Sequence, residues 1–191
     1  MFEERGAPVT TPFNPATGLA IDTATDHTRG GAAARVTLVE YGDFECPSCR
    51  QSSAAIRILL AHYGEQVRFV FRHFPLREVH PHAELAAEAA EAAGAQHKFW
   101  PFHDLLFAHQ QQLDEKHLRR YAEQAGLDMA RFTNEMRDHV YLQRVQEHIE
   151  GGRRLNVRAT PAFYVNGEFC DVSFGVEHLH RVIDAALTSQ D

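Results

Sequence analysis

The period of the apolar positions changes several times along the chain. From Arg35 to Tyr41 the residues Val36-Thr37-Leu38-Val39-Glu40-Tyr41 form a β-branched and apolar run that stops at Gly42, as expected of a central strand. Alternation with period two puts Val36, Leu38 and Glu40 on one face, so Glu40 extends an apolar row. Gln51 to Tyr63 then carries Ala54, Ala55, Ile56, Ile58, Leu59 and Leu60 with no breaker before Gly64, which predicts a helix beginning at Cys46 and Cys49 and ending near Gly64. Val67 to Phe74 alternates Val67, Phe69 and Phe71 against Arg68, Val70 and Arg72 until Pro75 stops it, a second strand. Strand, helix and strand in this order predict a right-handed βαβ unit with parallel neighbouring strands.

From His80 to about Arg154 the strand signal disappears. His82 to Ala95 is rich in Ala and Glu and helical by propensity. Apolar stripes at helical spacing follow: Phe99, Phe102, Leu105 and Leu106; Leu118, Tyr121, Ala122 and Ala125, ending at Gly126; Met129, Phe132 and Met136; and Tyr141, Val145, His148 and Ile149, ended by Gly151-Gly152. They predict four or five helices. The chain then returns to β structure, with Ala162-Phe163-Tyr164-Val165 and Glu168-Phe169-Cys170 flanking Asn166-Gly167, the strongest short signal for a two-residue hairpin turn. Val176, Leu179, Val182, Ile183, Ala186 and Leu187 close it with an amphipathic helix. The order βαβ, helical block, ββα describes an α/β fold in which residues 35–78 and 155–191 form one domain and 79–154 an inserted helical subdomain. Residues 1–34 mix Pro8, Pro12, Pro15, Gly18, Gly30 and Gly31 with Thr and Asp, around a mildly apolar Gly18-Leu19-Ala20-Ile21, and read as an extended arm with one short edge strand.

Length and charge narrow the partners. A chain of 191 residues supports one sizeable core. Its formal net charge of -7 carries no electrostatic footprint for nucleic acid, and no run of Lys and Arg suggests an anionic membrane, so proteins or small thiols are the expected partners. The start of the chain has no charged segment leading into an apolar one, and no stretch approaches the roughly 20 apolar residues of a membrane span. The expectation is a cytoplasmic protein without a transmembrane segment. Three cysteines are too few for a stapled secreted scaffold. The thirteen histidines run from His27 to His180 with no metal-ligand cluster beyond His80 and His82, and are read as surface and helix-face residues. Trp100 with Phe99 and Phe102 reads as core packing, Cys170 as a small buried strand residue, and Arg153, Arg154 and Arg158 as solvated.

The candidate chemistry lies in Cys46-Pro47-Ser48-Cys49, at the junction of strand and helix. The thiolate is the attacking species, and a cysteine at a helix N-terminus meets partial positive charge and free backbone N–H groups that lower its pKa. Pro47 fits the first helical turn, where its missing N–H has no partner to lose. Cys49 lies one turn deeper, where desolvation holds it as a thiol. A competing reading makes the pair half of a zinc site completed by His73, His80 and His82, but no second Cys-x-x-Cys or His-x-x-x-His accompanies it.

With Val39-Glu40-Tyr41-Gly42-Asp43-Phe44-Glu45-Cys46-Pro47 and, much later, Thr160-Pro161-Ala162-Phe163-Tyr164-Val165-Asn166-Gly167, the chain resembles the DsbA-like branch of the thioredoxin-fold disulfide oxidoreductases. Lys98-Phe99-Trp100 and His103-Asp104-Leu105-Leu106-Phe107 add to the resemblance, which runs from Arg35 to the last helix. It implies a thioredoxin-like fold with the helical insertion inside it. It further implies an exposed nucleophile at Cys46, a buried resolving thiol at Cys49 and a cis-proline at Pro161 facing them. Thr160 would present backbone to a bound peptide, Pro47 and Ser48 would meet the substrate, and Glu40 would be the buried acid that exchanges a proton with Cys49. The function implied is disulfide exchange with protein or peptide thiols, served by an unidentified redox partner and needing neither bound cofactor nor metal. Ser48 stands where strongly oxidising members carry His. Similar domains also occur fused to membrane transporters. The alternative from another class is a peptide-binding or chaperone-like module with little turnover.

Overall fold

The computed structural model describes residues 19–22, 25–173, 175 and 177–189. Its elements run β1 (His27–Gly30), β2 (Val36–Gly42), α1 (Pro47–Tyr63), β3 (Val67–His73), α2 (Ala83–Gly94), α3 (Phe99–Ala108), α4 (Glu115–Gln124), α5 (Met129–Arg137), α6 (Leu142–Arg154), β4 (Ala162–Val165), β5 (Glu168–Cys170) and α7 (Glu177–Thr188). It is a mixed α/β, thioredoxin-like fold built on one sheet with strand order β1-β3-β2-β4-β5. The strands β2 and β3 pair in parallel, as a βαβ unit requires, while β1 runs antiparallel to β3 and β4 antiparallel to β2.

All seven residues of β2 are buried, because β2 has a partner on each edge and packed layers on both faces. One face places Val36 and Leu38 with Phe69, Phe71, Phe163 and Val165 in a core shared with Ile56 and Leu59 of α1, Phe102 and Leu106 of α3, and Leu179 and Ile183 of α7. The other face places Val39, Tyr41, Val70 and Tyr164 against Val145 and Ile149 of α6. Helix α1 stops at Gly64, whose φ of 54° suits glycine. Between β4 and β5 the positive φ values of Asn166 (50°) and Gly167 (89°) make the two-residue turn. Asn166 Oδ1 also accepts the N–H of Thr37 at 2.8 Å, pinning the hairpin to β2.

The helices α2 to α6 lie between β3 and β4 in the chain. Helix α6 runs through Gly151-Gly152 to Arg154, which corrects the expectation that this pair ends it. The glycines let the helix approach the sheet: a Cβ on Gly152 would lie 2.7 Å from the Phe74 ring, and one on Gly151 would lie 3.2 Å from the Tyr41 hydroxyl. Strand β3 ends one residue before Phe74, whose N–H still donates to the Gly42 carbonyl at 2.7 Å.

Of the expected arm, residues 1–18 and 23–24 lie outside the described residues, as does Val176 of the expected last helix. The remainder of the arm contributes β1. Its sequence, His27-Thr28-Arg29-Gly30, is polar, and side chains hold it from the helical block. His27 stacks on Phe99 with ring centroids 3.5 Å apart, Trp100 donates from its indole N–H to the Thr28 carbonyl at 2.7 Å, and Arg29 pairs with Asp104 at 3.1 Å. Among the described residues no helix is long and apolar enough to cross a membrane.

Candidate active site

At the end of β2 the chain leaves the sheet through Asp43, and the next turn delivers Cys46 as the N-cap of α1, with φ −73° and ψ 120° and Pro47 behind it. No side chain caps this helix end, so its first N–H groups remain directed at the cysteine sulfur. Cys46 is 7% exposed, which corrects the expectation of an exposed nucleophile: the loop before β4 covers it, and its thiol donates to the Thr160 carbonyl at 3.2 Å. Thr160-Pro161 is a cis peptide, and the loop that carries it leads into β4, the neighbour of β2. Cys49, one turn into α1, is fully buried, and the Asp43 N–H points at its sulfur from 3.4 Å.

The two thiols are driven apart in acidity. Cys46 is lowered from the usual thiol value to about 5, chiefly by a hydrogen bond from Cys49; burial opposes the shift, and the Thr160 side chain and the backbone N–H groups of Cys49 and Ser48 reinforce it. Cys49 is pushed well up, first by burial, then by the hydrogen bond it gives Cys46 and the negative charge of Glu40. At neutral pH the arrangement holds one thiolate and one thiol.

Glu40 is 1% exposed, in register with Phe71 of β3 and Phe163 of β4, and its Oε1 has no hydrogen-bond partner. Burial, assisted by the charge on Cys46, lifts its pKa to about 8. A carboxyl in this range can take a proton from a buried thiol or return one near neutral pH. The face predicted for Glu40 is thus the face it occupies, among apolar neighbours and within electrostatic reach of both cysteines.

Outside the thiols, Ser48, Gln51, Thr160, Pro161, Tyr164 and Phe169 line part of an open groove of about 850 Å³, to which Asp171 and Glu177 add two carboxylates. Pro47 and Ser48 are exposed, and Pro161 is half-buried. Arg153, Arg154 and Arg158 are exposed, and Arg158 borders the groove. Cys170 is buried on β5 and its pKa is raised by burial, so it does not share the activated state of Cys46.

Two residues at the site carried no assignment from sequence. Asp43 is buried, and its carboxylate accepts from the Glu45 N–H (2.8 Å), the Leu76 N–H (2.8 Å) and His80 (2.7 Å), tying the turn before Cys46 to the segment after β3. Its place inside Gly-Asp-Phe-Glu-Cys was the only sequence signal. Gln110, buried at the end of the α3 segment, donates from its amide nitrogen to the carbonyls of Phe44 (2.8 Å) and Cys46 (2.7 Å). In sequence it is one of three consecutive glutamines, a pattern that reads as a polar loop.

The histidines differ from expectation. His73, His103 and His148 are buried, and among the described residues His73, Glu91 and His148 form the one grouping of metal-ligand type; neither cysteine belongs to it. His73 and His27 both bond to Glu91 Oε1, at 2.8 and 3.0 Å, and His148 Nδ1 accepts the His73 N–H at 3.2 Å. His80 and His82 pair with Asp43 and Glu45. The three histidines considered for a shared zinc site with the cysteines are therefore spent on separate carboxylates.

A family model described as Thioredoxin matches residues 22–185. Among curated proteins, the Na(+)/H(+) antiporter NhaA 1 of Salinispora arenicola is 46% identical over 166 residues, covering 87% of this chain and 25% of that protein. The chain thus spans about a quarter of the length of the curated relatives it matches. Among solved structures, oxidised BdbD of Bacillus subtilis superposes with a TM-score of 0.77 at 23% identity, covering 87% of this chain and 95% of that one. The thiol-disulfide exchange protein alpha-DsbA2 of Wolbachia pipientis superposes with a TM-score of 0.72 at 19% identity, covering 85% and 88%. The chain belongs to the thioredoxin family, and its fold is the DsbA-like form with helices set between the third and fourth strands of the sheet.

Proposed function

We propose that this chain is a thiol-disulfide oxidoreductase that exchanges disulfides with protein or peptide thiols through Cys46-Pro47-Ser48-Cys49. The observation that carries the reading is the asymmetry of the pair: Cys46 lowered to about 5 at the head of α1, Cys49 buried and held protonated behind it. In the reducing direction the Cys46 thiolate attacks a client disulfide; the client S–S bond breaks, one client sulfur leaves as thiolate, and a mixed disulfide forms on Cys46. Glu40 in its ionised form takes the Cys49 proton, Cys49 attacks the Cys46 sulfur, and the second client sulfur departs as the Cys46–Cys49 disulfide closes. The oxidising direction is the reverse. Pro161, lacking an N–H, leaves a backbone edge beside Cys46 on which an extended client lies, with Thr160 as its neighbour and the groove taking the client's flanking residues. A redox partner restores the starting state of the pair.

The test is reduction of insulin by the dithiol form, with dithiothreitol as terminal reductant. The wild type is expected to accelerate it, and Cys46→Ser to abolish the acceleration. A wild type as inactive as Cys46→Ser, while its cysteine pair titrates normally, would overturn the reading in favour of a peptide-binding module.

A further inference from the structure

The turn that carries the nucleophile is held from outside the sheet. Residues 43–46 form neither helix nor strand, and Cys46 keeps the extended backbone of an N-cap. Its carbonyl accepts the first helical hydrogen bond, from the Arg50 N–H at 3.2 Å, and a second from Gln110 at 2.7 Å. The other proton of the same amide goes to Phe44 at 2.8 Å. Among the described residues Gln110 is the donor that the Phe44 carbonyl has. The Phe44 ring is held by the same segment, since Phe107 at the end of α3 packs on it with centroids 5.0 Å apart, while Phe71 backs it at 5.3 Å. One stretch of the helical block therefore grips the turn by its ring and by two carbonyls on either side of Glu45.

We propose that Gln110 is a positioning residue for the exchange reaction, the group through which the α3 segment fixes the backbone that aims the Cys46 sulfur. This rests on the oxidoreductase reading for its purpose, and on the two hydrogen bonds for its geometry. A thiolate at a helix N-cap is stabilised only while its sulfur faces the N–H groups of the first turn, and that direction depends on the φ and ψ of Cys46 itself. Anchoring the Cys46 carbonyl holds ψ; anchoring the Phe44 carbonyl holds the approach of the chain. The groups that face the sulfur are Cys49 from α1, Glu40 from β2 and Thr160 from the loop before β4. Gln110 is neutral and adds no charge to that set, so its influence on Cys46 is geometric.

The experiment is the pH profile of Cys46 alkylation by iodoacetamide in wild type and in Gln110→Met, which keeps the length and bulk of the side chain and removes both donors. The Cys46 midpoint is expected to rise by about one unit, so that alkylation below both midpoints slows roughly tenfold. A role in stability alone would lower the thermal midpoint and leave the profile of the folded variant in place, and an unchanged profile overturns the proposal. Should Gln110→Met not fold, the wild type answers by NMR. The side-chain amide protons of Gln110 are expected to be protected from exchange and to shift with the Cys46 titration, and free exchange with no such shift overturns the proposal equally. A wild-type Cys46 that failed to reduce insulin would count against the oxidoreductase reading and leave the Gln110 profile interpretable.

Discussion

Glu40 and Glu91 are both buried carboxylates, and their surroundings push them in opposite directions. Around Glu91, burial opposes ionisation but hydrogen bonds from His27 and His73 outweigh it, and its pKa falls far below the usual value. Glu40 has Phe71 and Phe163 beside it and an unpartnered oxygen, so burial wins and the value rises to about 8. Between pH 4.5 and about 8 the unfolded chain releases this proton while the folded chain keeps it, so folding stability falls as pH rises through that window. Replacing the carboxyl, in Glu40→Leu, is therefore expected to stabilise the fold by roughly 3 kcal/mol at pH 7 and by less than about 1 kcal/mol at pH 5. Urea unfolding at the two pH values checks this, and a gain independent of pH would mean that the acid is not raised. The same substitution is expected to slow closure of the Cys46–Cys49 disulfide while sparing the first attack, because only Cys49 must lose a proton within the core.

At the scale of elements, α6 shows how a packing requirement overrides local preference. Two adjacent glycines weaken a helix by about 1 kcal/mol each relative to alanine. Here the pair brings the helix axis close to the sheet, where Gly152 faces the rings of Phe74 and Tyr41. Gly152→Ala is expected to destabilise the protein by about 1–3 kcal/mol despite the better helix former, since a Cβ 2.7 Å from an aromatic ring forces a shift in a packed core. Thermal unfolding of this variant measures the balance, and a higher midpoint would show that the rings yield. The opposite case is β1, whose residues have little strand preference and whose pairing is secured by His27, Arg29 and the indole of Trp100.

At the scale of the whole molecule, the Glu91 network joins β1, β3 and α2, with His148 of α6 beside it, so it ties the arm and the helical block to the sheet. Its depressed carboxyl contributes stability that is complete above the unfolded value of 4.5 and is lost as pH falls below it. Glu91→Leu, which leaves the buried His73 and the partly buried His27 without their acceptor, is expected to cost roughly 3–5 kcal/mol at pH 7. The loss should shrink progressively as pH falls below 4.5, and acid titration of the circular dichroism of both proteins reads the difference. The Asn166-Gly167 turn, the βαβ order, the buried face of Glu40 and the place of the cysteines at a helix start could all be read from the chain, because each depends on neighbours within a few residues. Gln110, the Glu91 network and the use of Gly151-Gly152 could not, because a glutamine, a histidine or a glycine has no fixed role until another element is placed against it. By itself the sequence determined the order of elements and the place of Cys46 and Cys49 at the start of a helix, through local periodicity and the chemistry of a helix end. Only the tertiary structure decided what surrounds them: Thr160 over a hundred residues away against Cys46, phenylalanines on both sides of Glu40, and an amide from the helical block on the turn between. The acidity of a buried group is set by such distant neighbours, since burial and hydrogen bonding act through space and not along the chain.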